Sequence, residues 1–376
     1  MGSSNGGVPV LGMVGGGQLA RMTAQAAVSL GLSLRVLADR PDDSAAVVVA
    51  DAEIGAPDDP AALSRFAKAC DVVTFDHEHV PQERLQALEA DGVVVRPGSR
   101  ALLFAQDKLA QRRRLQEMGL PVPAFASVST PAEVAAFGEE HGWPVVLKAV
   151  RGGYDGRGVW MLTEPPAELP GPNVYVEQRV SLVHEVAQQV ARRPSGEMVA
   201  WPLVETVQEN GICVEVVAPA PRISPTLAAE AEEIAMRLAE ELDVTGVLAV
   251  ELFEAPGGLV VNELAMRPHN SGHWTIDGSR TSQFEQHVRA VLDWPLGDPA
   301  PKSPVSVMVN LLGGQTTDLT RTLPLALGAV PEAAVHLYGK SARPGRKLGH
   351  VTVCGQDLVE ARDRARHAVA VLRGDE

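Results

Sequence analysis

Apolar and polar positions alternate in blocks along the first hundred residues. Residues 8–14, 34–38 and 71–75 are short apolar runs that predict strands, and residues 18–30 between the first two predict a helix. Three consecutive glycines at 15–17 supply the turn from the first strand into this helix. The order strand, helix, strand predicts a βαβ arrangement at the start of the chain.

Longer periodic segments follow, separated by turn signals. Ser224 and Pro225 are a helix cap and a first-turn residue, so a long amphipathic helix begins there. Pro121 and Pro123 mark a boundary, and the chain after residue 313 forms a small tail unit. Three segments predict these longer helices: residues 98–119, 222–242 and 357–372.

Two apolar, β-branched runs in the second half of the chain each end at an acid, Glu251 and Glu263. The sequence Pro-Gly-Gly at 256–258 lies between them and predicts a hairpin that brings the two acids together. Asn262 adds a third oxygen. Hard oxygens in such a cluster suit Mg²⁺, which usually keeps water ligands and bridges to substrate phosphates. The simpler interpretation is a pair of solvated acids at strand ends.

Composition narrows the class of protein. The 376 residues are 45% apolar and 21% charged, which is typical of folded proteins with two or three domains. The net charge of −14 argues against a general nucleic-acid-binding surface. Three widely spaced cysteines suit a reducing cytosol. Residues 1–7 lack a signal-peptide pattern and no apolar run approaches the ~18 residues of a membrane span, so we expect a cytoplasmic protein without membrane contact.

Two glycine-rich segments could hold phosphates. Gly15, Gly17 and Ala20 match the G-x-G-x-x-A pattern, with Asp39 at a suitable distance for a ribose contact. This pattern alone would favour a nicotinamide-dependent oxidoreductase. The second segment, residues 151–158, holds four glycines and two arginines between an apolar strand ending at Lys148 and a returning strand at 159–162. It predicts a lid that folds over phosphates while the lysine contacts the α- or β-phosphate.

Two polar segments in the second half are further site candidates. Residues 262–275 have no period and are rich in Asn, His and Arg, which predicts a functional loop. His269 and His273 in this loop have the spacing of zinc ligands, but Pro268 and Gly272 disfavour a helix, so zinc is not expected. The other segment is a dense basic run in an acidic chain, and it predicts a pocket for a phosphate monoester. Its members are Lys340, Arg343, Arg346, Lys347 and His350.

Four strings together resemble the N5-carboxyaminoimidazole ribonucleotide synthetase family, which belongs to the ATP-grasp ligases. They are residues 12–22, the lid at 151–158, the loop at 262–275 and the basic run at 343–350, and the resemblance extends over about residues 8–372. It implies an α/β fold, α+β in part, with three domains. These are a Rossmann-like domain at 1–106, an ATP-grasp domain at 107–312 with a lid subdomain at about 124–182, and a small C-terminal domain at 313–376.

The resemblance also implies the reaction. ATP and bicarbonate would carboxylate 5-aminoimidazole ribonucleotide through carboxyphosphate, giving the N5-carbamate in de novo purine synthesis. The cofactor would be Mg²⁺, with Mn²⁺ possible as a substitute, held by Glu251, Asn262 and Glu263. The enzyme would be a cytoplasmic homodimer without nucleic-acid or membrane partners.

Residue roles follow from the resemblance in the same way. The groups at the chemistry would be Arg267, Asn270 and His273 for bicarbonate, with Asp155 and Arg157 from the lid. The ATP-binding set would be Lys108, Lys148, Gly153, Tyr154, Asp155, Gly156, Arg157, Gly158, Glu177, Gln178, Arg179, Val180, Glu185, Gln208, Asn262 and Glu263. The imidazole nucleotide would meet Gly17, Gln18, Leu19, Glu78, Tyr154, Lys340, Arg343, Arg346 and Lys347.

Three alternatives remain open at this point. Another ATP-grasp carboxylate–amine ligase, such as the formate-using glycinamide ribonucleotide transformylase, would share most of the motifs. A nicotinamide oxidoreductase would leave Glu251, Glu263 and the basic run without a role. A catalytically silent scaffold would be expected to lose a metal acid or Lys148, and this chain keeps all three.

Overall fold

The computed structural model of the protein describes residues 7–153, 157–314 and 318–375. The chain opens with a parallel four-stranded sheet in the order β3-β2-β1-β4, flanked by helices. The predicted βαβ arrangement is therefore confirmed. The elements are β1 (Val10–Val14), α1 (Gln18–Ser29), β2 (Ser33–Ala38), β3 (Asp51–Ile54), α2 (Pro60–Ala67), β4 (Val72–Phe75) and α3 (Gln82–Ala90).

A carboxylate from the neighbouring strand occupies the N-terminus of α1. Asp76, directly after β4, accepts hydrogen bonds from Gly17 N at 2.6 Å and from Ala20 N at 2.9 Å. A helix N-terminus attracts an anion, and at α1 this anion is the Asp76 carboxylate. A side chain at Gly17 would also collide with this carboxylate. The glycine turn is therefore used for internal packing, which removes the support for a dinucleotide pyrophosphate there.

The segment predicted as one helix over 98–119 is two helices, α4 (Ser99–Gln106) and α5 (Lys108–Glu117). Asp107 separates them in an extended conformation, and its side chain accepts from Ala110 N to cap α5. Its other oxygen pairs with Arg151 at 3.0 Å. The break was missed because a carboxylate cap is a weak sequence signal without a neighbouring Gly or Pro. It matters because it places Lys108 at the start of a new helix.

A small antiparallel sheet follows, in the order β5-β8-β6-β7. β6 and β7 pair with Lys148 opposite Val159, so the predicted strands on either side of the glycine-rich segment are neighbours. The helix α6 is capped by Thr130 and Glu133, which form a reciprocal capping box. The elements are β5 (Phe125–Val128), α6 (Pro131–His141), β6 (Val145–Ala149), β7 (Val159–Leu162) and β8 (Val174–Gln178).

The remaining strands in the described part of the chain form one nine-stranded antiparallel sheet. Its order is β14-β13-β9-β11-β12-β15-β17-β16, with β10 paired to β9. The predicted hairpin is β13–β14, and the predicted cap Ser224 begins α7. The strands and helices are β9 (His184–Arg192), β10 (Met198–Ala200), β11 (Val204–Glu209), β12 (Ile212–Ala218), α7 (Pro225–Glu241), β13 (Gly246–Ala255), β14 (Gly258–Ala265), α8 (Thr275–Gly278), α9 (Gln283–Val291), β15 (Val305–Leu312), α10 (Leu319–Ala329), β16 (Ala334–Leu337), β17 (Lys347–Gly355) and α11 (Leu358–Arg373).

The tail strands join the same sheet as the central ones. β15 lies before residue 313 and pairs along its length with β17 after it, and α10 and α11 pack on this part of the sheet. Hydrogen bonding thus continues across the expected boundary at 313. The boundaries between the three expected domains stay predictions. No helix in the described ranges combines the length and the apolar character needed to cross a membrane.

A buried histidine joins the first unit, which is the part of the chain built on the parallel sheet β1–β4, to the nine-stranded sheet. His287 of α9 accepts from Val247 N at 3.2 Å through Nδ1, so its protonated Nε2 lies 2.8 Å from Thr74 Oγ1 of β4. Burial lowers the pKa of His287 to about 3, because the charged imidazolium has no water or carboxylate to stabilise it. The joint therefore needs the neutral ring.

We expect His287 to make folding sensitive to acid. In the unfolded chain its pKa is about 6.5, so between pH 6.5 and 3 only the unfolded state gains this proton, and the free energy of unfolding falls by up to ~1.4 kcal/mol per pH unit. His287→Gln should lose stability at pH 7 but show a shallower decline toward pH 5, measured by urea unfolding at several pH values. Equal slopes for the two proteins would contradict this origin.

Candidate functional site

The two acids of the hairpin face each other across β13 and β14. Glu251 is paired in register with Glu263, and a β-bulge follows directly after Glu251. Asn262 Nδ2 donates to Glu251 Oε2 at 3.4 Å, so all three oxygen-bearing side chains lie together. Burial, and after it the repulsion from the neighbouring carboxylate of Glu263, raise the pKa of Glu251 to about 7. Two acids held this way need a cation.

Basic side chains surround these acids. Lys108 at the start of α5 forms an ion pair with Glu263. Lys148 of β6 lies 2.7 Å from Glu177 Oε2 and 3.3 Å from Asn262 Oδ1. Lys148, which the sequence predicted at the end of a strand, thus contacts the hairpin directly through Asn262.

A fully buried arginine completes this network. Arg112 lies one turn after Lys108 on α5, pairs with Glu177 and donates to Asn262 O at 2.6 Å. Burial alone would raise the pKa of Glu177, but Arg112 and Lys148 overcome this and hold it at about 2. Glu177 is therefore ionised, and its position is fixed by two cations. The pKa of Lys148 is lowered by burial and partly restored by Glu177.

The polar loop after β14 closes over the acids. Arg267 pairs with Glu78 of the first unit at 2.8 Å, and His269 Nε2 lies 3.3 Å from Glu251 Oε1. Burial, with a smaller contribution from the charge of Arg267, lowers the pKa of His269 to about 3, so the ring is neutral. Its Nδ1 lies 2.9 Å from Ser271 Oγ and accepts weakly from Ser271 N, which leaves the proton on Nε2, toward Glu251.

The donors present fit Mg²⁺. They are two carboxylates and an amide oxygen, which are hard ligands, and the ion prefers to complete its shell with water and phosphate oxygens. Within the described ranges no group of three or more His, Cys, Asp or Glu side chains is arranged to hold a metal ion. The side chains that could hold such an ion are Glu251, Glu263 and Asn262, with Lys108 beside Glu263.

A second polar centre lies at the edge of the first unit. Lys340 contacts Gln18 Oε1 at the start of α1, and its ammonium lies 5.7 Å from the centre of the Tyr338 ring. Burial lowers the pKa of Lys340, and nearby Asp76 opposes this. Arg346, by contrast, is hydrogen-bonded to Ser341 Oγ at 2.8 Å. The structure thus brings Gln18 and Lys340 together, as expected for residues that share one ligand.

Three domain models match successive parts of the chain. The ribonucleotide synthetase preATP-grasp domain matches residues 9–106, the ATP-grasp domain residues 113–284, and the phosphoribosylaminoimidazole carboxylase C-terminal domain residues 306–364. The N5-carboxyaminoimidazole ribonucleotide synthase of Mycobacterium tuberculosis is 53% identical over 372 residues, covering 96% of this chain and 87% of the relative. The chain belongs to the N5-carboxyaminoimidazole ribonucleotide synthase family. The expected family and the ATP-grasp fold are therefore confirmed, and the chain is an ATP-grasp ligase.

Solved members of this synthase family have the same architecture. A crystal structure from Thermus thermophilus is 38% identical, with a TM-score of 0.86 over 96% of this chain and 98% of that one. The Aspergillus clavatus synthase in complex with ADP and 5-aminoimidazole ribonucleotide is 32% identical, with a TM-score of 0.87 over 97% of this chain and 98% of that one. With the family established, the oxidoreductase, scaffold and formate-using alternatives lose their support.

Some residues expected in the synthase site lie elsewhere. His273 is 1% exposed and its Nδ1 accepts from Gln283 Nε2 at 2.9 Å, while its ring packs 5.0 Å from that of His350. Burial lowers the pKa of His273 well below its usual range, so its ring is neutral. Leu19 is 5% exposed in the core of the first unit, so its side chain is not available to a nucleotide. Gly17 N is already bonded to Asp76.

The residues expected around adenosine come from two sheets, with Gln178 to Val180 at the end of β8 in the small sheet and Glu185 and Gln208 in the large sheet. Gln178 and Arg179 are exposed at the end of β8, and Val180 is half-buried. Glu185 pairs in register with Phe253 and Thr206, and Gln208 with Cys213, so both face the side of the sheet that carries Glu251. Burial raises the pKa of Glu185. Glu177 differs, because its carboxylate is committed to Arg112 and Lys148 rather than open to a ligand.

The lid is described only at its two ends. Tyr154, Asp155 and Gly156 lie outside the described residues. Gly153 leaves no space for a Cβ beside Arg157 O, and Gly158 has a φ of +71°, so both positions require glycine. Arg157 is exposed, and Arg343 is exposed on the basic run. Lys347 is half-buried, and its charge opposes the burial that raises the pKa of Glu251 and adds to the burial that lowers the pKa of His269.

Sequence reasoning missed four residues of this site. Arg112 could have been found, because it lies four residues after Lys108 on one helix face of an acidic chain. His269 was considered only as a zinc ligand, although it lies beside Arg267. Asp76 and Gln283 gave no signal, since their partners are about 60 and 14 residues away in the chain. The loop also proved partly regular, with β14 continuing to Ala265 and a short 3₁₀ helix at Asn270–Gly272.

Proposed function

We propose that this chain uses ATP to join bicarbonate to the exocyclic amine of 5-aminoimidazole ribonucleotide, giving the N5-carbamate, ADP and phosphate. The observation that carries the proposal is the meeting of three parts at the β13–β14 hairpin. Within the hairpin Glu251 lies opposite Glu263, Lys108 of α5 pairs with Glu263 and Lys148 of β6 contacts Asn262, and His269 of the polar loop lies beside Glu251. A phosphate-binding side and a small-anion side therefore share one centre.

ATP binds on the lysine side of this centre. Lys148 and Lys108 contact the phosphates, Gly153, Arg157 and Gly158 close over them, and adenosine lies along Gln178, Arg179, Val180, Glu185 and Gln208. Bound at Glu251, Glu263 and Asn262, Mg²⁺ supplies positive charge that neutralises the phosphates. Phosphoryl transfer of this kind needs mainly positioning and charge neutralisation. Glu177 contributes indirectly, since it holds Lys148 between itself and Asn262.

Bicarbonate binds on the loop side. Arg267, fixed by Glu78, offers a cation, and His269 and Asn270 offer neutral donors. Bicarbonate attacks the γ-phosphate to form carboxyphosphate, and its carboxyl group passes to the amine. Carboxyphosphate and the carbamate product are both labile in water, so the closed loop and the lid protect them. Glu78 lies where the first unit meets the loop, which is suited to a contact with the imidazole nucleotide.

The 5′-phosphate of the imidazole nucleotide binds at Lys340 and Gln18, with Arg343 and Arg346 at the outer edge. This placement rests on the contact between Lys340 and Gln18, which joins the tail to the first unit. Lys347 is better suited to the bicarbonate side, because its charge acts on His269 and Glu251. We also propose a cytoplasmic homodimer, as the family resemblance implies.

One assay tests the proposed reaction. ADP release should require 5-aminoimidazole ribonucleotide and should rise with bicarbonate at fixed ATP and Mg²⁺. A reaction that is supported by formate, or that uses glycinamide ribonucleotide in place of the imidazole, would contradict the proposal.

We expect His269→Asn to raise the KM for bicarbonate by about tenfold, because a hydrogen bond to a charged group is lost. The KM for ATP should change by less than about twofold, since the ATP phosphates lie on Lys148 and the metal. Steady-state kinetics with each substrate varied in turn gives both numbers. A rise in the KM for ATP alone would place His269 on the side that binds the ATP phosphates instead.

A further inference from the structure

The amide of Gln283 is bonded at every position to the polar loop and its support. Gln283 is the first residue of α9 and is fully buried. Its Oε1 accepts from His269 N at 2.8 Å and from Gln189 Nε2 at 2.9 Å. Its Nε2 donates to His269 O at 2.8 Å and to His273 Nδ1 at 2.9 Å. One side chain therefore satisfies four polar groups.

Two of these bonds go to the main chain of a single residue. Because Gln283 binds both the N–H and the C=O of His269, the peptide groups on either side of that residue are fixed in direction. The orientation of the amide is also unambiguous, since its oxygen must face an N–H and its nitrogen a C=O. From this clamped backbone the histidine ring extends toward Glu251, with its Nε2 3.3 Å from Glu251 Oε1.

The clamp itself is rigid. Gln189 lies in the interior of β9, and Gln283 N donates to Thr275 Oγ1 at 2.9 Å, so both ends of the amide cluster are attached to regular elements. A Cβ at Gly272 would collide with the amides of Gln189 and Gln283. The loop therefore crosses this cluster with no spare space, and losing the amide removes contacts that water has little room to replace.

We propose that Gln283 is a positioning residue for the carboxylation, which holds His269 against Glu251 without touching any substrate. This inference rests on the proposed bicarbonate role of the loop. If it is correct, removing the clamp weakens only the bicarbonate side, because Lys148, Lys108 and the hairpin are held by other contacts.

The same helix offers a matched control. Gln286 is also fully buried, and both hydrogen bonds of its amide go to Gly297 rather than to the polar loop: its Oε1 accepts from Gly297 N at 2.8 Å and its Nε2 donates to Gly297 O at 2.6 Å. Gln283→Leu and Gln286→Leu remove the same group from the same helix. Both variants should lower the melting temperature, so stability alone does not distinguish them.

The kinetic terms do distinguish them. For Gln283→Leu we expect the KM for bicarbonate to rise about tenfold and kcat to fall by a similar factor, because misplacing a binding group costs this much or more. The KM for ATP should stay within about twofold. For Gln286→Leu all three values should stay within about twofold. Gln283→Glu keeps the length but loses the donating NH₂ group, and it should show the same selective change if the leucine variant does not fold.

Three outcomes would overturn the proposal. One is an equal kinetic change in the Gln283→Leu and Gln286→Leu variants. Another is a Gln283 variant whose KM for ATP changes as much as its KM for bicarbonate. The third is loss of folding in both Gln283 variants while Gln286→Leu folds, which would make Gln283 purely structural. His269→Asn separates this from failure of the proposed function. If His269→Asn leaves the bicarbonate term unchanged, the loop role fails, whereas if it raises that term and Gln283→Leu does not, only the positioning role fails.

Discussion

Glu251→Gln and Glu263→Gln are each expected to reduce kcat for ATP turnover by about a thousandfold or more, because metal charge stabilisation contributes several kcal/mol to such reactions. The two carboxylates are paired across the hairpin, and each needs the other to hold a divalent cation. Glutamine keeps the volume and the strand pairing, so the fold should survive. Removing Glu263 also leaves Lys108 without its partner, which adds to the loss at the phosphates.

The control is Glu254→Gln on the same strand. Glu254 is a partly buried acid three residues after Glu251, and it pairs with His184 at 2.6 Å rather than with the metal set. Its replacement should lower stability slightly and leave turnover within about twofold. The rate of ADP release at saturating Mg²⁺ measures turnover, and the melting temperature of each variant shows whether the fold is kept. Near-normal turnover in either site variant would remove the metal assignment.

The parts of this site that sequence could predict are those encoded by neighbouring residues. The hairpin followed from two β-branched runs around Pro-Gly-Gly, and the register then brought Glu251 opposite Glu263 without further information. The strand ending at Lys148 and its return at Val159 followed from apolar runs on either side of glycines. In each case a local pattern fixed the pairing, and the pairing fixed the geometry.

The parts that sequence could not predict depend on distant partners. Asp76 caps α1 from across the sheet, so a turn that matched a dinucleotide motif is used for packing. His273 matched a site histidine by its neighbours in the chain, yet Gln283 and His350 enclose it. Glu177 matched an adenosine contact, yet two cations hold it in the interior. Residue type at a position predicts that a polar group is needed, but which partner satisfies it is decided by tertiary packing.

The same distinction applies to the basic run and decides which residue should matter most there. The resemblance implied Lys340 and Arg346 together as ligands of the phosphate, without ranking them. In the structure Arg346 is bonded to Ser341 and its side chain is partly exposed, whereas Lys340 is half-buried against Tyr338 and touches Gln18. A charged hydrogen bond is worth more where solvent is excluded, so the larger share of the binding energy is expected at Lys340.

Lys340→Met should therefore raise the KM for 5-aminoimidazole ribonucleotide by about thirtyfold, and Arg346→Ala by about threefold to tenfold, in line with the cost of losing buried and exposed charged hydrogen bonds. Methionine keeps the packing on Tyr338, so the loss reports the charge. The KM for ATP serves as the internal reference and should not change, because the ATP phosphates lie at Lys148 and the hairpin. If Arg346→Ala has the larger effect, the outer edge of the basic run holds the phosphate. If the ATP term rises in both variants, the run belongs to the other nucleotide, and the contact between Lys340 and Gln18 only joins the tail to the first unit.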